Sequence, residues 1–320
     1  MPSPFTRRRS QSVSSLGEIR LITEIQRWLG NATPLAPAGI GDDCATLSGS
    51  PLHQLITVDP VIYGEHFDDS VPAKGVAAKL FHRNLSDIAA MGGRPRAALV
   101  ALALSASVKT DWLREFYRSL ATIARRHHVP IVGGDIASQP AGFNATMTVI
   151  GEAPESAVRT RQGAQPGDWI FVTGSLGGSR LGWHYKFAPR LNEGHWLASR
   201  AEVRSLMDVS DGLAKDIRAL TPRSCRPCLR RSSIPISRSV QAAAKKSGRD
   251  PLEHALTDGE DYELLFTVNG SADPAALRTA WHNHFKLRLT CLGRFEKSSS
   301  LARFEDEIDL TAYHGFEHLR

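Results

Sequence analysis

The chain has 320 residues and a formal net charge of +6, with 42% hydrophobic and 22% charged residues. This is the composition of an ordinary soluble globular protein, and the length allows two domains. No apolar run approaches the roughly 20 residues that a membrane-spanning helix needs, so we expect a cytoplasmic protein with no membrane segment. The mild positive charge does not predict a specific nucleic-acid partner, because basic runs are usually solvated surface.

The first 16 residues form a head that is rich in Ser and Arg and contains no acidic residue. It lacks the apolar core of a secretory signal, which argues against export. We therefore predict a disordered basic head over residues 1–16. The remainder divides into a predicted N-terminal domain, 17–153, and a predicted C-terminal domain, 154–320.

Hydrophobic periodicity predicts an alternation of helices and strands in the N-terminal half. The predicted helices are 17–29, 72–90 and 111–126. Asp111 is the candidate N-cap of the third helix. The predicted strands are 44–47, 55–58, 97–104, 131–134 and 146–151.

The C-terminal half shows the same mixture. The predicted strands are 169–173, 205–209 and 262–268, and the predicted helices are 212–220 and 237–247, followed by a last α/β segment, 273–295. Both halves mix the two kinds of element, so the predicted fold class is α/β (α+β) with two domains. The Gly-rich loop 174–178 fits neither the P-loop nor the dinucleotide fingerprint.

Four cysteines are present: Cys44, Cys225, Cys228 and Cys291. Cys225 and Cys228 have the spacing of half a zinc site or of a redox pair, and their Arg-rich surroundings would lower a thiol pKa. A structural zinc needs two further ligands, and the sequence has no second such pair. We therefore predict free thiols in a reducing cytoplasm.

Acidic residues recur beside Gly or Ser at the ends of short apolar stretches. The segments are 41–43, 57–59, 84–87, 133–135, 208–212 and 259–261. Carboxylates that converge repel each other unless cations lie between them, and sites made only of oxygen favour Mg²⁺ carrying phosphates. Any one segment could be an ordinary turn, but the six together predict metal-assisted phosphate chemistry.

In order along the chain, these segments resemble those of the thiamine-monophosphate kinases. This family belongs to a superfamily with aminoimidazole ribonucleotide synthetase and selenophosphate synthetase. The matching segments, which extend over nearly the whole chain, are 39–43 (GIGDD), 64–67 (GEHF), 84–92 (NLSDIAAMG), 132–135 (VGGD), 161–168 (RQGAQPGD), 208–213 (DVSDGL), 259–264 (GEDYEL) and 315–318 (GFEH).

The resemblance implies an N-terminal domain whose mixed sheet pairs with its twin in a homodimer, and a C-terminal domain that covers the active-site cleft. It implies ATP as co-substrate, several Mg²⁺ ions, and transfer of phosphate from ATP to thiamine monophosphate to give thiamine diphosphate. The acceptor phosphate is already mostly dianionic at neutral pH, so no general base is expected.

The same resemblance implies roles for individual residues. The implied metal ligands are Asp43, Thr57, Asp59, Asp87, Asp135, Asp208 and Asp211. The implied ATP contacts are Gly134, Asp135, Arg161 and Ser210, with Arg161 neutralising phosphate charge. The implied substrate contacts are His66, Glu260 and Phe316, where Phe316 takes the place of an aromatic residue that stacks on thiamine.

Three departures from the family pattern bear on the activity. Val58 and Pro60 flank Asp59 where the family usually has Thr, which removes a hydroxyl and a backbone donor. Residues 136–139 lack two hydroxyls and a cation. Asp258 replaces a Gly and adds negative charge near the predicted substrate site. We expect a working kinase with altered metal occupancy.

Two other interpretations are left open. One is another ATP-dependent enzyme of the same superfamily with a different acceptor; selenophosphate synthetase is disfavoured because residues 1–16 contain no Cys. The other is a non-catalytic nucleotide-binding homodimer, which predicts ATP binding without turnover.

Overall fold

The structure is a computed structural model that describes residues 3–16, 18–34, 52–300 and 304–316. It has two compact units: Met1–Ile88 with Arg94–Glu155, and Ala89–Gly93 with Ser156–Arg320. Each is a mixed α/β unit built on one sheet, which confirms the predicted fold class. No helix in the described ranges is long and apolar enough to cross a membrane.

The first unit contains a four-stranded mixed sheet in the order β1-β4-β2-β3, in which only β2 and β3 are parallel. Its strands are β1 (His53–Ile62), β2 (Arg94–Leu104), β3 (Ile131–Ser138) and β4 (Phe143–Ala153). Its helices are α1 (Glu18–Leu29), α2 (Ala73–Ala90, of which residues 73–88 belong to this unit) and α3 (Thr110–His127). The predicted strand 44–47 lies outside the described residues.

One face of this sheet carries the core. Along β4 every second residue is buried, from Phe143 to Ala153, as expected when one face packs against helices. Trp112 and Phe116 of α3 pack edge-on against Phe143. The N-cap of α3 is Lys109, so the prediction of Asp111 was wrong; Asp111 lies in the first turn, where a carboxylate also favours the helix dipole.

Residues 3–16 differ from the predicted disordered head. The backbone of Phe5 pairs with that of Val108, and Val13 N donates to Val108 O at 3.0 Å. Val13 is buried, whereas residues 7–9, the three arginines, are exposed. The polar composition suggested disorder because it does not reveal backbone pairing, which does not depend on side-chain polarity.

The second unit contains a five-stranded sheet in the order β6-β8-β5-β9-β7, with every pair antiparallel. Its strands are β5 (Trp169–Thr173), β6 (Val203–Asp208), β7 (Cys225–Leu229), β8 (Leu264–Val268) and β9 (Leu289–Lys297). Its helices are α4 (Leu191–Ala198), α5 (Leu213–Leu220), α6 (Val240–Ser247), α7 (Pro251–Thr257) and α8 (Pro274–His282).

Both faces of the second sheet are covered. Ile170 and Val172 of β5 face a cluster that includes residues of α5 and α7, whereas Phe171 faces the opposite cluster with α8. Strands buried on both faces are apolar without alternation, which explains why β5 and β8 were predictable as short apolar runs.

The cysteine pair Cys225 and Cys228 lies on β7, and both are free thiols, as is Cys291. The expected lowering of thiol pKa is wrong. Burial raises the pKa of Cys228 to about 11, and burial also raises that of Cys225. Neither thiol is activated for redox chemistry, because the thiolate is the reactive form.

Candidate active site

In the first unit, three predicted metal ligands lie together where β1 meets α2. Thr57 and Asp59 are two residues apart on β1 and share a face of the strand. The Thr57 hydroxyl donates to Oδ2 of Asp87 on α2. Asp59 Oδ2 lies 3.2 Å from Arg83 Nε, which gives this carboxylate a cationic neighbour.

Asp135, a fourth predicted ligand, is not beside this group. It is exposed on β3, and the register pairs it with Ala101, whereas Asp59 is in register with Met147 and Val100. Asp135 on β3 and Asp59 on β1 therefore lie on opposite faces of the sheet, and strands β4 and β2 lie between β1 and β3. At about 4.8 Å per strand the separation is roughly 14 Å.

Gly134 precedes Asp135 at a point of close backbone approach. A Cβ added at Gly134 would lie 1.9 Å from the carbonyl oxygen of Val100. Only glycine fits there, which gives this predicted ATP contact a structural role in pairing β3 with β2.

His66, a predicted substrate contact, lies in the turn that follows β1. Its Nδ1 accepts a hydrogen bond from Ile62 N at 3.2 Å, and its carbonyl oxygen accepts from Lys79 Nζ at 2.7 Å. Because Nδ1 accepts, the imidazole is held as the tautomer with its proton on Nε2.

In the second unit, the predicted carboxylates lie in the turn between β6 and α5. Asp208 ends β6 and is buried, and Asp211 lies 2.8 Å from Lys215 Nζ. Gly212 has φ 102° at the start of α5, a conformation that glycine adopts without strain. The turn thus presents Asp208 and Asp211 within one short segment.

Asp216 on α5 is a further member of this group that the sequence analysis missed. Its Oδ2 accepts from Asp211 N at 3.0 Å. Burial raises the pKa of Asp216 to about 7, and the charges of Asp208 and Asp211 add to the rise. The sequence carries no clear signal for Asp216, because its burial and its hydrogen bond from Asp211 N arise only in the folded chain.

Glu260 and Phe316, the predicted substrate contacts of this unit, lie against the same turn. Glu260 N donates to Ser210 O at 2.7 Å, and Phe316 N donates to Asp211 O at 2.9 Å. Glu260 has φ 56°, an uncommon value for a residue other than glycine, and its Oε2 is 3.7 Å from His184 Nδ1. The structure thus brings Ser210, Asp211, Glu260 and Phe316 together.

Arg161, the remaining predicted ATP contact, is exposed on the segment that precedes β5. The residue before it, Thr160, accepts a hydrogen bond at its carbonyl oxygen from Leu206 N at 3.0 Å. Arg161 is therefore tied to β6 two residues before Asp208.

Asp43 lies outside the described residues. Among the residues that the structure does describe, no group of three or more His, Cys, Asp or Glu side chains forms a preassembled metal site. Two of the described carboxylates have cationic protein partners: Arg83 for Asp59 and Lys215 for Asp211.

The structure also explains two of the departures. Val58 projects from the face of β1 opposite Thr57 and Asp59, with 59% of it exposed, so its missing hydroxyl would not point towards Asp87. The Asp258 carboxylate accepts from Gly178 N at 3.0 Å and lies 2.9 Å from His254 Nδ1, so its added charge is compensated locally.

Comparison with known proteins identifies a matching domain family and several similar enzymes. Residues 41–153 match the family described as AIR synthase related protein, N-terminal domain. The thiamine-monophosphate kinase of Rhodopirellula baltica is 38% identical over 245 residues, which cover 73% of this chain and 77% of that one. The thiamine-monophosphate kinase of Escherichia coli K12 is 33% identical over 304 residues, which cover 87% and 90%.

A solved structure of AaThiL complexed with AMPPCP and TMP is similar to this chain with a TM-score of 0.68 and 27% identity, covering 95% of this chain and 99% of that one. The similarity therefore extends over both units rather than one. The chain belongs to the thiamine-monophosphate kinase family.

Proposed function

We propose that this protein transfers the γ-phosphate of ATP to thiamine monophosphate, giving thiamine diphosphate and ADP. The observation that carries the proposal is the assembly of Ser210, Asp211, Glu260 and Phe316 around one turn, in a chain similar over 95% of its length to a kinase solved with AMPPCP and TMP.

The chemistry needs charge neutralisation more than proton transfer. A phosphate monoester has a second pKa near 6, so the acceptor is already a nucleophilic dianion at pH 7. Two polyanions must approach in line, and their repulsion is the barrier that the site has to lower. Carboxylate-bound cations and Arg161 suit this task, and no side chain is assigned as a general base.

The donor set fits Mg²⁺. All the proposed ligands offer oxygen atoms: Asp43, Thr57, Asp59, Asp87, Asp135, Asp208 and Asp211. Burial is the main cause of the raised pKa of Asp216, and the nearby charges of Asp208 and Asp211 add to it; a bound cation would offset those charges. When bound, Mg²⁺ would neutralise phosphate oxygens and orient the transferred group.

The nucleotide and the acceptor have separate proposed contacts. ATP is bound by Gly134, Asp135, Arg161 and Ser210. Thiamine monophosphate is bound by His66, Glu260 and Phe316. Phe316 is 37% exposed, so its ring is accessible for stacking on the cationic thiamine ring.

The protein acts as a homodimer, with residues 17–153 as the dimerisation and metal- and ATP-binding domain and residues 154–320 as the substrate- and ATP-binding domain. The support for a dimer is the open face of the first sheet, where Ile56 and Val58 are 69% and 59% exposed. Adjacent exposed β-branched residues on a sheet face are typical of an interface.

The test is to incubate the purified protein with ATP, MgCl₂ and thiamine monophosphate and to quantify thiamine diphosphate by chromatography. We expect thiamine diphosphate and ADP in equal amounts. ATP binding without thiamine diphosphate would overturn the proposal and favour a different acceptor or a binding role.

A further inference from the structure

The second unit contains a pocket of about 1040 Å³ beside α6 and α7. Its wall includes Ser247, the last residue of α6, His254 on α7, and Asp258 directly after α7. The proposed kinase reaction assigns no role to any of these three side chains.

The three side chains form a continuous hydrogen-bonded row with the imidazole in the middle. His254 Nε2 is 2.7 Å from Ser247 Oγ, and Nδ1 is 2.9 Å from each oxygen of Asp258. A hydroxyl within reach of a base that is itself oriented by a carboxylate is the signature of an activated nucleophile.

The surrounding hydrogen bonds determine where the protons lie. An ionised carboxylate can only accept, so Nδ1 of His254 donates to Asp258 and Nε2 is left as the acceptor. Arg249 N donates to Ser247 Oγ at 3.1 Å, which leaves the hydroxyl hydrogen of Ser247 for Nε2. This is the proton arrangement that general-base activation of a serine requires.

The base of this row is buried and the hydroxyl is exposed, as a reactive site requires. His254 is 5% exposed and packed in place, whereas Ser247 is exposed on the pocket wall. Lys246 lines the same pocket and supplies positive charge for an oxyanion, whereas the guanidinium of Arg249 binds Glu253 and Thr257. Tyr313 and Phe316, the latter also the proposed thiamine contact, supply aromatic surface.

We propose that Ser247, His254 and Asp258 form a second active site, which hydrolyses carboxylic esters of small aromatic compounds. Ser247 Oγ forms a bond to the ester carbonyl carbon while its proton passes to Nε2 of His254. The carbon–oxygen bond to the alcohol then breaks, and the alcohol leaves with that proton. Water adds to the acyl-serine and releases the carboxylic acid, and the hydroxyl of Ser247 is regenerated.

The test uses the purified full-length chain with p-nitrophenyl acetate as substrate and an aryl fluorophosphonate as label. We expect Ser247→Ala to lower ester hydrolysis by about 100-fold or more, the lower end of what general-base activation contributes. Mass spectrometry should place the label on Ser247. Ser199→Ala is the matched control, because Ser199 is also exposed and follows the last residue of helix α4, but its hydroxyl donates to the Trp196 carbonyl oxygen.

Asp258→Asn tests the positioning role. We expect kcat for the ester to fall while KM and the thermal unfolding midpoint change little, because Asn holds the wrong tautomer of His254 without removing volume. Thiamine diphosphate formation by Ser247→Ala should equal that of the unmodified chain. Hydrolysis that survives Ser247→Ala, or label distributed over other serines, would overturn the inference.

Discussion

At the scale of residues, the Glu263 carboxylate shows how strongly this protein depends on paired charges. Glu263 is buried, and its two oxygens accept from Arg190, with Nε to Oε2 at 2.8 Å, and from the Thr173 hydroxyl at 2.7 Å. Arg190→Ala would leave the carboxylate buried without its cation. We expect urea unfolding to show a loss of about 3–5 kcal/mol in the free energy of unfolding.

An exposed ion pair provides the matched control for that experiment. Arg114 pairs with Asp111 on the surface of α3, where the Asp111 side chain is 87% exposed. We expect Arg114→Ala to cost about 0–1 kcal/mol, because solvent screens this pair. Equal losses for the two variants would contradict the argument from burial.

The pH dependence of stability belongs to the same scale. Burial raises the pKa of Asp261 well above its ordinary value, and the charges of Glu263, Asp258 and Asp216 add to the rise. In the unfolded chain this carboxyl ionises near pH 3.9. Its contribution to stability is therefore present below that pH and is lost as the pH rises towards the folded-state pKa, by at most about 1.4 kcal/mol per unit.

We expect Asp261→Asn to remove this loss, so that the variant gains stability relative to the unmodified chain between pH 5 and pH 8. Urea unfolding at the two pH values measures the difference. Asp111→Asn, at an exposed position, should show no such gain. A gain of the same size at both positions would refute the assignment to burial.

Some residues of the candidate site could be predicted from the sequence and others could not. The turn from Asp208 to Asp211 was predictable, because Gly212 and the apolar strand before it mark a local structure. Asp216 was not, since only the folded structure shows that its carboxylate is buried against Asp211 N. Likewise, the sequence suggested that Val58 removes a hydroxyl from the metal site. In the structure, strand alternation directs the Val58 side chain away from Thr57 and Asp59.

At the scale of elements, the pairing of β3 with β2 depends on one glycine of an adjacent pair. A Cβ at Gly134 would collide with the Val100 carbonyl at 1.9 Å, whereas a Cβ at Gly133 would be 3.6 Å from Leu99 Cδ2. We expect Gly134→Ala to lower the thermal unfolding midpoint by several degrees and Gly133→Ala to leave it almost unchanged. Similar midpoints for the two variants would show that β3 is not held as described.

Strand β7 and helices α4 and α7 were not predicted from the sequence. Strand β7 contains Arg and Pro and has two free thiols, so it has none of the alternation that marks a strand, and its pairing with β9 is a tertiary effect. Helices α4 and α7, with eight and seven residues, were also missed, although α5 and α6, with eight residues each, were predicted. The longer α2 and α3 were predicted because an 18-residue window shows the period.

At the scale of the whole molecule, the proposed homodimer makes a prediction about assembly. Val58→Lys would place a charge on the open sheet face, on its edge strand β1, where burial of an unpaired ammonium in an interface is costly. We expect the dimer to dissociate at least tenfold more readily, as measured by sedimentation equilibrium. Leu181→Lys, at another exposed apolar position, should leave assembly unchanged. A monomeric unmodified chain would contradict the proposal directly.

The proposed kinase activity is tested by measuring thiamine diphosphate formation from ATP and thiamine monophosphate as a function of Mg²⁺ concentration. The measurement compares the unmodified chain with Asp87→Asn and with Asp69→Asn, an exposed carboxylate of the same unit that accepts from the Tyr63 hydroxyl. We predict Mg²⁺-dependent product from the unmodified chain and Asp69→Asn, and at least a 100-fold loss in Asp87→Asn, because we propose that carboxylate-bound metal neutralises the phosphate charge in this reaction. Equal activity of the two variants, or product without Mg²⁺, would contradict it.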